Sequence, residues 1–443
     1  MAAFLLLCLV FSVQCQAKET GPSTPTLREQ FANEPIFGGS VYILEAGQKS
    51  NPPLVLVHGL GDLASDTWRA LLPKLAETYH VVTFDLPGFG RSQKQNALYS
   101  PGNYAAFVKW VVDTYVTGQP ILAGHSLGGA IALRYAGTYP DGLSRLVLID
   151  VAGILDRRVY SKEMLSEYAN GLEVLFDVDG LLGTVVGWLP NSPADLNLML
   201  GSDLLRSRVL GSEPTLIAAT ALILEDFSPY LSRVQVPAAI LWGEHDRVTP
   251  RRIGTLLEAN LKTAQLQIIP GAGHVPMFET PGLFTAAFFS ALKDDIRPTG
   301  LPAAGGVRQG QCNGKNGMVF GGSYQSIELI DCQNARLNNI SAESVRLVRS
   351  SAIFDRGSIT GNTVGLHIDD SNVTANGLRI EAPVAVTASN SRLDLAGVRL
   401  KGSKSAVTTE SQVKLLFSVS RIQSPHGSGT IHGLRHLVGE QAL

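Results

Sequence analysis

The chain is poor in cysteine, poor in aromatic side chains and nearly neutral. Four cysteines in 443 residues (Cys8, Cys15, Cys312 and Cys332) are too few for a disulfide-dense scaffold. None belongs to a Cys/His cluster with zinc-site spacing, so no metal is expected, and no cofactor either. A net charge of −2 gives no electrostatic basis for binding nucleic acid or an anionic membrane. No apolar run reaches the roughly 20 residues that a spanning helix needs. The run from Ala2 to Val13 instead has the length of a signal-peptide core, although no Lys or Arg precedes it. Cleavage after Ala17 would make residues 1–17 a signal peptide and the mature chain secreted or periplasmic. Lipidation at Cys15 is the competing reading, weakened by the bulky Gln14 before it. Export would leave Cys312 and Cys332, an even number in an oxidising compartment. Their spacing leaves open both a disulfide and two buried thiols.

What is present is a large apolar content, 45%, with 17% charged residues, as in a globular chain with a sizeable core. Two halves differ in texture. Residues 1–300 hold 22 Lys and Arg against 28 Asp and Glu, whereas residues 301–443 hold 14 against 10.

In the first half, short apolar runs alternate with stretches of helical period. Pro53–Gly59, His80–Gly88, Arg145–Asp150, Ala238–Gly243 and Leu266–Gly271 read as strands. Asp66–Tyr79, Asn103–Val116, Leu127–Tyr139, Arg251–Leu261 and Pro281–Asp294 read as helices. Continuously apolar strands in such an alternation predict a parallel sheet covered on both faces. Chemistry in these sheets gathers at the carboxyl ends of the strands.

"ILAGHSLGGAIAL" (Ile121–Leu133) places a serine there. Gly124-His125-Ser126-Leu127-Gly128 fits G-x-S-x-G between a strand and a helix. A turn this tight needs small neighbours, and it presents the Ser126 hydroxyl at a helix N-terminus that favours a developing anion. A serine needs a base. His274, in the Gly-rich loop "PGAGHVPMFE" after the last apolar strand, is the candidate. The base needs a carboxylate to fix its tautomer. Asp246 in "LWGEHDRVTP" supplies it, with Asp150 at the end of "LVLID" as the rival. Glu244 and His245 beside Asp246 read as loop residues. The N–H groups of Leu127 and of Leu60, in "VHGLGD", are candidates for an oxyanion hole. His58 reads as a brace for that loop.

Together, "LVHGLGD", "FDLPGFGRS", "GHSLGG", "WGEHDRVTP" and "GAGHVPMFE" resemble the α/β-hydrolase fold family across residues 35–295. The resemblance, to serine esterases and lipases among others, implies a mainly parallel eight-stranded sheet and serine-based acyl-enzyme chemistry; it leaves ester, amide and carbon–carbon bonds open as substrates. It also implies a helical cap over the site in the insertion at about 155–230. There Trp188, Leu189, Met199 and Leu200 are candidates either for lining an apolar pocket or for packing the cap. Trp68, near the oxyanion loop, has the same two readings.

Residues 296–306 read as a linker rich in Pro, Gly and Ala. Beyond it, residues 307–443 lack any helical stripe and repeat short β-branched runs. Ser371, Ser391 and Ser411 are spaced by 20, as are Val373, Leu393 and Val413, and Ala375, Leu395 and Leu415. Stacked rungs would bury what one rung cannot, which predicts a right-handed parallel β-helix of five to six coils. Asp369-Asp370 reads as a turn. Without tryptophan, this half is a poor sugar-stacking platform, and a positioning or binding module with cell-surface or glycan contact is expected. The whole reads as a secreted serine hydrolase acting on a small-molecule or lipid ester. Its alternatives are a polysaccharide-targeted esterase and an adhesin with a vestigial hydrolase domain.

Overall fold

A computed structural model describes residues 27–159, 196–293 and 307–443, together with Ile296 and Gly300. The candidate signal peptide, Cys15, Trp188, Leu189 and most of the linker lie outside the described residues.

The first half forms an eight-stranded sheet of order β1-β2-β4-β3-β5-β6-β7-β8. β1 (Leu27–Asn33) pairs antiparallel with β2 (Ser40–Ala46), which pairs antiparallel with β4 (His80–Phe84). From β4 onward the pairing is parallel, through β3 (Pro53–Val57), β5 (Ile121–His125), β6 (Arg145–Ile149), β7 (Ala238–Gly243) and β8 (Ala264–Ile269). Alternate residues enter two apolar clusters on opposite faces: Val55, Val57, Val82 and Phe84 on one, Leu54, Leu56 and Val81 on the other. That double burial explains the uninterrupted apolar runs.

The helical stretch expected over Asp66–Tyr79 is broken. A 3-10 turn spans Ala64–Trp68, and α1 is only Leu72–Leu75. Pro73 has no N–H to donate, so a helix can contain it only in its first turn. α2 (Pro101–Tyr115) and α3 (Leu127–Thr138) follow the expected ranges. Trp68 is buried beside Phe288, ring centroids 6.2 Å apart, and belongs to the core.

Between β6 and β7 lie α4 (Leu196–Gly201), α5 (Asp203–Leu210), α6 (Pro214–Leu224) and α7 (Ser228–Leu231). Met199 and Leu200 are buried in the same cluster as the sheet, so they pack the insertion onto it. α8 (Arg252–Asn260), α9 (Pro276–Glu279) and α10 (Pro281–Lys293) complete this half.

The second half is all β, and opens with β9 (Gln309–Asn313), β10 (Val319–Ser323), β11 (Ser326–Ile330), β12 (Ala335–Ala342), β13 (Ser344–Val348), β14 (Ser351–Thr360) and β15 (Val364–Asp369). Most of its pairings are parallel and join strands one repeat apart, from Gln309 with Ser326 to Ser391 with Val413. β16 (Asn372–Ser389) is long enough to pair with β17 (Ser391–Ala396) through its first residues and with β18 (Arg399–Thr409) through the rest. Both β17 and β18 pair with β19 (Val413–Ser424), which closes a ring of four strands. The spacing of 20 holds where Val373 meets Leu393 and Ala375 meets Leu395. It fails at the next rung. Leu393 lies beside Leu415, not Val413, and Leu395 beside Phe417, not Leu415. One extra residue enters where Ala382–Val384 faces Gly402–Ser405, and another in the turn between Thr409 and Val413. The last strands also depart from the repeat, because β20 (Gly427–Leu437) and β21 (Gln441–Ala442) pair antiparallel with β19 and β18. Asp370 has a positive φ of 45°, as its expected turn requires. Cys312 and Cys332 form a disulfide.

The two sheets share one interface along α8. Arg252 grips both carboxylate oxygens of Asp394, at 3.0 and 2.9 Å, and donates to Asn376. Arg251 pairs with Asp355, and Arg356 with Glu258. Ala396, Leu416 and Val419 join the same apolar cluster as Leu256 and Leu257 of α8.

Candidate active site

Ser126 caps α3 at the end of β5 with φ 52° and ψ −117°, a conformation that side chains other than glycine seldom adopt. The turn closes so tightly that a Cβ on Gly124 would lie 2.1 Å from the Gly128 carbonyl. One on Gly128 would lie 2.3 Å from the Val57 carbonyl. Those two glycines answer why the motif needs its small neighbours.

His274 approaches from the loop after β8. Its Nε2 lies 3.0 Å from Ser126 Oγ, and its Nδ1 lies 2.9 Å from Asp246 Oδ2. The three residues expected from sequence therefore meet, although 148 residues separate the first from the last. All three are buried.

The acid is fixed by its own loop. Asp246 Oδ1 accepts the N–H groups of Val248 and Thr249 at 2.8 and 2.9 Å, and Thr249 Oγ1 donates to Oδ2. Burial alone would raise its pKa, but His274 and Thr249 outweigh burial and hold it below the usual carboxylate range. Asp150 does not reach the imidazole. Its Oδ1 accepts the Gly243 N–H at 2.8 Å, and its Oδ2 has no hydrogen-bond partner among the described residues. Burial, and then the neighbouring Asp246 charge, push the pKa of this carboxyl well above its ordinary value. Glu244 accepts from the Gly271 N–H, and His245 is exposed, as their reading as loop residues implies.

On the other side of Ser126 runs the loop with Gly59 and Leu60. A Cβ on Gly59 would sit 3.0 Å from Ser126 Cβ, so this backbone passes directly beside the hydroxyl-bearing residue. Leu127 opens α3, whose first N–H groups have no partner within the helix. His58 braces the loop: Nδ1 donates to the Gly59 carbonyl at 2.6 Å, and Nε2 accepts the Leu86 N–H at 2.8 Å. Burial pushes its pKa down to about 4, which fixes the neutral ring that this pair of bonds requires. Behind the loop, Asp85 accepts from the Ser65 N–H and from Arg91.

Two positioning residues escaped the sequence reading. His125, the variable position of the motif, donates from Nε2 to the His274 carbonyl at 2.7 Å and so ties the base's backbone to the nucleophile's turn. Thr249 holds the acid. Nothing in the spacing marks His125, whereas the Asp-x-x-Thr order at 246–249 is a local turn signal that points to Thr249.

Residues 54–287 match the alpha/beta hydrolase family. An uncharacterized protein of Mycobacterium tuberculosis is 30% identical over 256 residues, covering 53% of this chain and 73% of that one. Lipase 3 of a Moraxella species is 26% identical over 265 residues, 59% of this chain and 83% of the lipase. A 2-hydroxy-6-oxo-6-phenylhexa-2,4-dienoate hydrolase of Burkholderia cepacia is 26% identical over 269 residues, 55% and 88% of the two chains. With more than half of its length matched, the chain belongs to the alpha/beta hydrolase family and is a hydrolase.

Proposed function

We propose that this hydrolase cleaves carboxylic esters through an acyl-enzyme on Ser126. The observation that carries the reading is the unbroken line of hydrogen bonds from Ser126 Oγ through His274 to Asp246. As Ser126 Oγ attacks the ester carbonyl, its proton passes to His274 Nε2. Asp246 holds the imidazole in the tautomer whose Nδ1 carries hydrogen, and it stabilises the imidazolium. The tetrahedral oxyanion forms beside the Leu127 and Leu60 N–H groups. The intermediate collapses when His274 returns the proton to the departing alkoxide, leaving an acyl-serine and a free alcohol. Water then repeats the sequence, with His274 taking its proton, and releases the acid.

Relatives named as a lipase and as a 2-hydroxy-6-oxo-6-phenylhexa-2,4-dienoate hydrolase share this domain, so substrate choice rests with what surrounds the triad. The long parallel ladder of the second half supports reading it as a β-helix-like module that positions or binds. Export is part of the same reading, supported by the apolar N-terminal run and by the Cys312–Cys332 disulfide. The test is turnover of p-nitrophenyl butyrate. Ser126→Ala should reduce it by at least about 10³-fold with the fold retained. Retained turnover would overturn the assignment.

A further inference from the structure

The second half carries a charged cleft that the ester chemistry does not use. Its volume is about 800 Å³, and Arg379, Arg399 and Arg421 line it. These three are register partners on successive strands: Arg379 pairs with Arg399 across β16 and β18, and Arg399 with Arg421 across β18 and β19. Neighbouring strands lie about 4.8 Å apart, so the guanidinium-bearing positions form a column with that repeat.

The column is not neutralised from within. Among the described residues, neither Arg379 nor Arg421 makes an ion pair, and the one lining carboxylate, Glu381, is taken by Lys401. Arg399 donates to the Ala259 carbonyl at the end of α8, and its buried Nε has no hydrogen-bond partner among the described residues. Burial above all, and then the charges of Arg379 and Arg421, lower its pKa. Three in-register arginines with no free carboxylate facing them cost stability, and only Arg399 gains a bond from the fold in return.

We propose that this cleft binds an acidic polysaccharide, with carboxylates or sulfates on successive sugars meeting successive arginines. Guanidinium forks suit such planar or tetrahedral oxyanions. The repeat of the column calls for a ligand whose anions recur at a similar spacing along a chain, not for a single phosphate. None of the exposed large apolar side chains lines the cleft, so nothing there would enter a lipid surface. Of the lining aliphatics, Ile359, Ile380 and Leu400 are buried and Ile422 is partly buried. The site would hold an ester-bearing glycan against the hydrolase, because Arg399 and Ser232 place the cleft where the second half meets the first.

The experiment is calorimetric titration of the full chain at low salt with polygalacturonate, with heparin as the sulfated arm, neutral dextran as the uncharged arm and inorganic phosphate as the single-anion arm. Binding of polygalacturonate or heparin but not dextran is expected, with weaker binding as salt rises. Arg379→Ala and Arg421→Ala should each weaken it about 3- to 10-fold, and Arg379→Glu/Arg421→Glu should abolish it. The partly exposed positions of Arg379 and Arg421 keep the fold intact in these variants, which circular dichroism checks. Failure of both polyanions to bind, equal binding of dextran, binding of phosphate alone, or polyanion binding unaffected by both arginine changes would each overturn the proposal. Hydrolysis of p-nitrophenyl butyrate by the same variants reads the ester chemistry separately and should stay at the wild-type rate.

Discussion

Thr249 Oγ1 and His274 Nδ1 converge on one oxygen, Oδ2 of Asp246. The carboxylate is thereby held at the angle that the imidazole needs, by a residue three positions down the same loop. Thr249→Val keeps the shape and removes the donor. A hydrogen bond to a charged group contributes about 1.5–3 kcal/mol, so kcat for a p-nitrophenyl ester should fall roughly 10- to 100-fold while KM stays near wild type. Thr249→Ser should restore most of it. A Val variant within twofold of wild type would show that the hydroxyl does not position the acid.

Asp150 and Asp246 stand side by side with pKa values pushed in opposite directions, Asp150 up by burial and the Asp246 charge, Asp246 down by His274 and Thr249 against the effect of burial. Asp246→Asn should cost about 10³- to 10⁴-fold in kcat, since an amide cannot fix the same tautomer or stabilise the imidazolium. Asp150→Asn keeps the acceptor for the Gly243 N–H and alters a group that makes no bond to the imidazole, so it should leave kcat within about tenfold. Steady-state kinetics of the two variants, side by side, check this. The opposite ranking would move the acid to β6.

The two sheets should unfold together, because Ala396, Leu416 and Val419 complete the apolar cluster that contains Leu256 and Leu257. A Cβ on Gly397, which has φ 65°, would lie 2.9 Å from Leu256 Cα. Gly397→Val therefore strains the backbone and wedges the interface, at a cost of about 2–4 kcal/mol. Scanning calorimetry should give one transition for the wild type and a lower one for the variant. Two independent wild-type transitions, with only the later strands affected by the substitution, would contradict a shared core.

Acid should destabilise the fold through its buried histidines. Burial, above all, lowers His58 to about 4 and His125 to about 3. An unfolded imidazole titrates near 6.5, so below that pH the unfolded chain binds protons that the folded chain refuses. Stability falls as pH drops from about 6.5, and each loss levels off below the folded value. Each histidine contributes at most about 1.4 kcal/mol per pH unit in this window. His58→Gln should flatten the dependence by up to one proton, read from urea midpoints at pH 7, 6 and 5. An unchanged slope would mean that His58 is not held neutral.

Much of this was legible in the order of residues, and the illegible parts have physical causes. The strands β3 to β7 announce themselves because both faces are buried. Ser126 is legible because its turn tolerates only glycine at 124 and 128. The sequence favours Asp246 over Asp150, but chain order alone does not separate them, since both end or follow neighbouring strands. Only the direction of each carboxylate separates them. Pro73 shortened a helix whose apolar period was otherwise sound. In the second half, period-20 counting found the rungs but misassigned Val413 and Leu415, because single inserted residues in turns shift the register without disturbing the alternation. The arginine column was invisible for the same reason: Arg379, Arg399 and Arg421 are spaced unevenly, and only the pairing aligns them.

The most direct measurement is the mass of the protein after brief exposure to a fluorophosphonate, followed by peptide mapping. Stoichiometric modification confined to Ser126, absent in Ser126→Ala and slowed severely in His274→Ala, is the predicted result. An unmodified Ser126 in folded wild-type protein, or modification at another residue, would contradict the account.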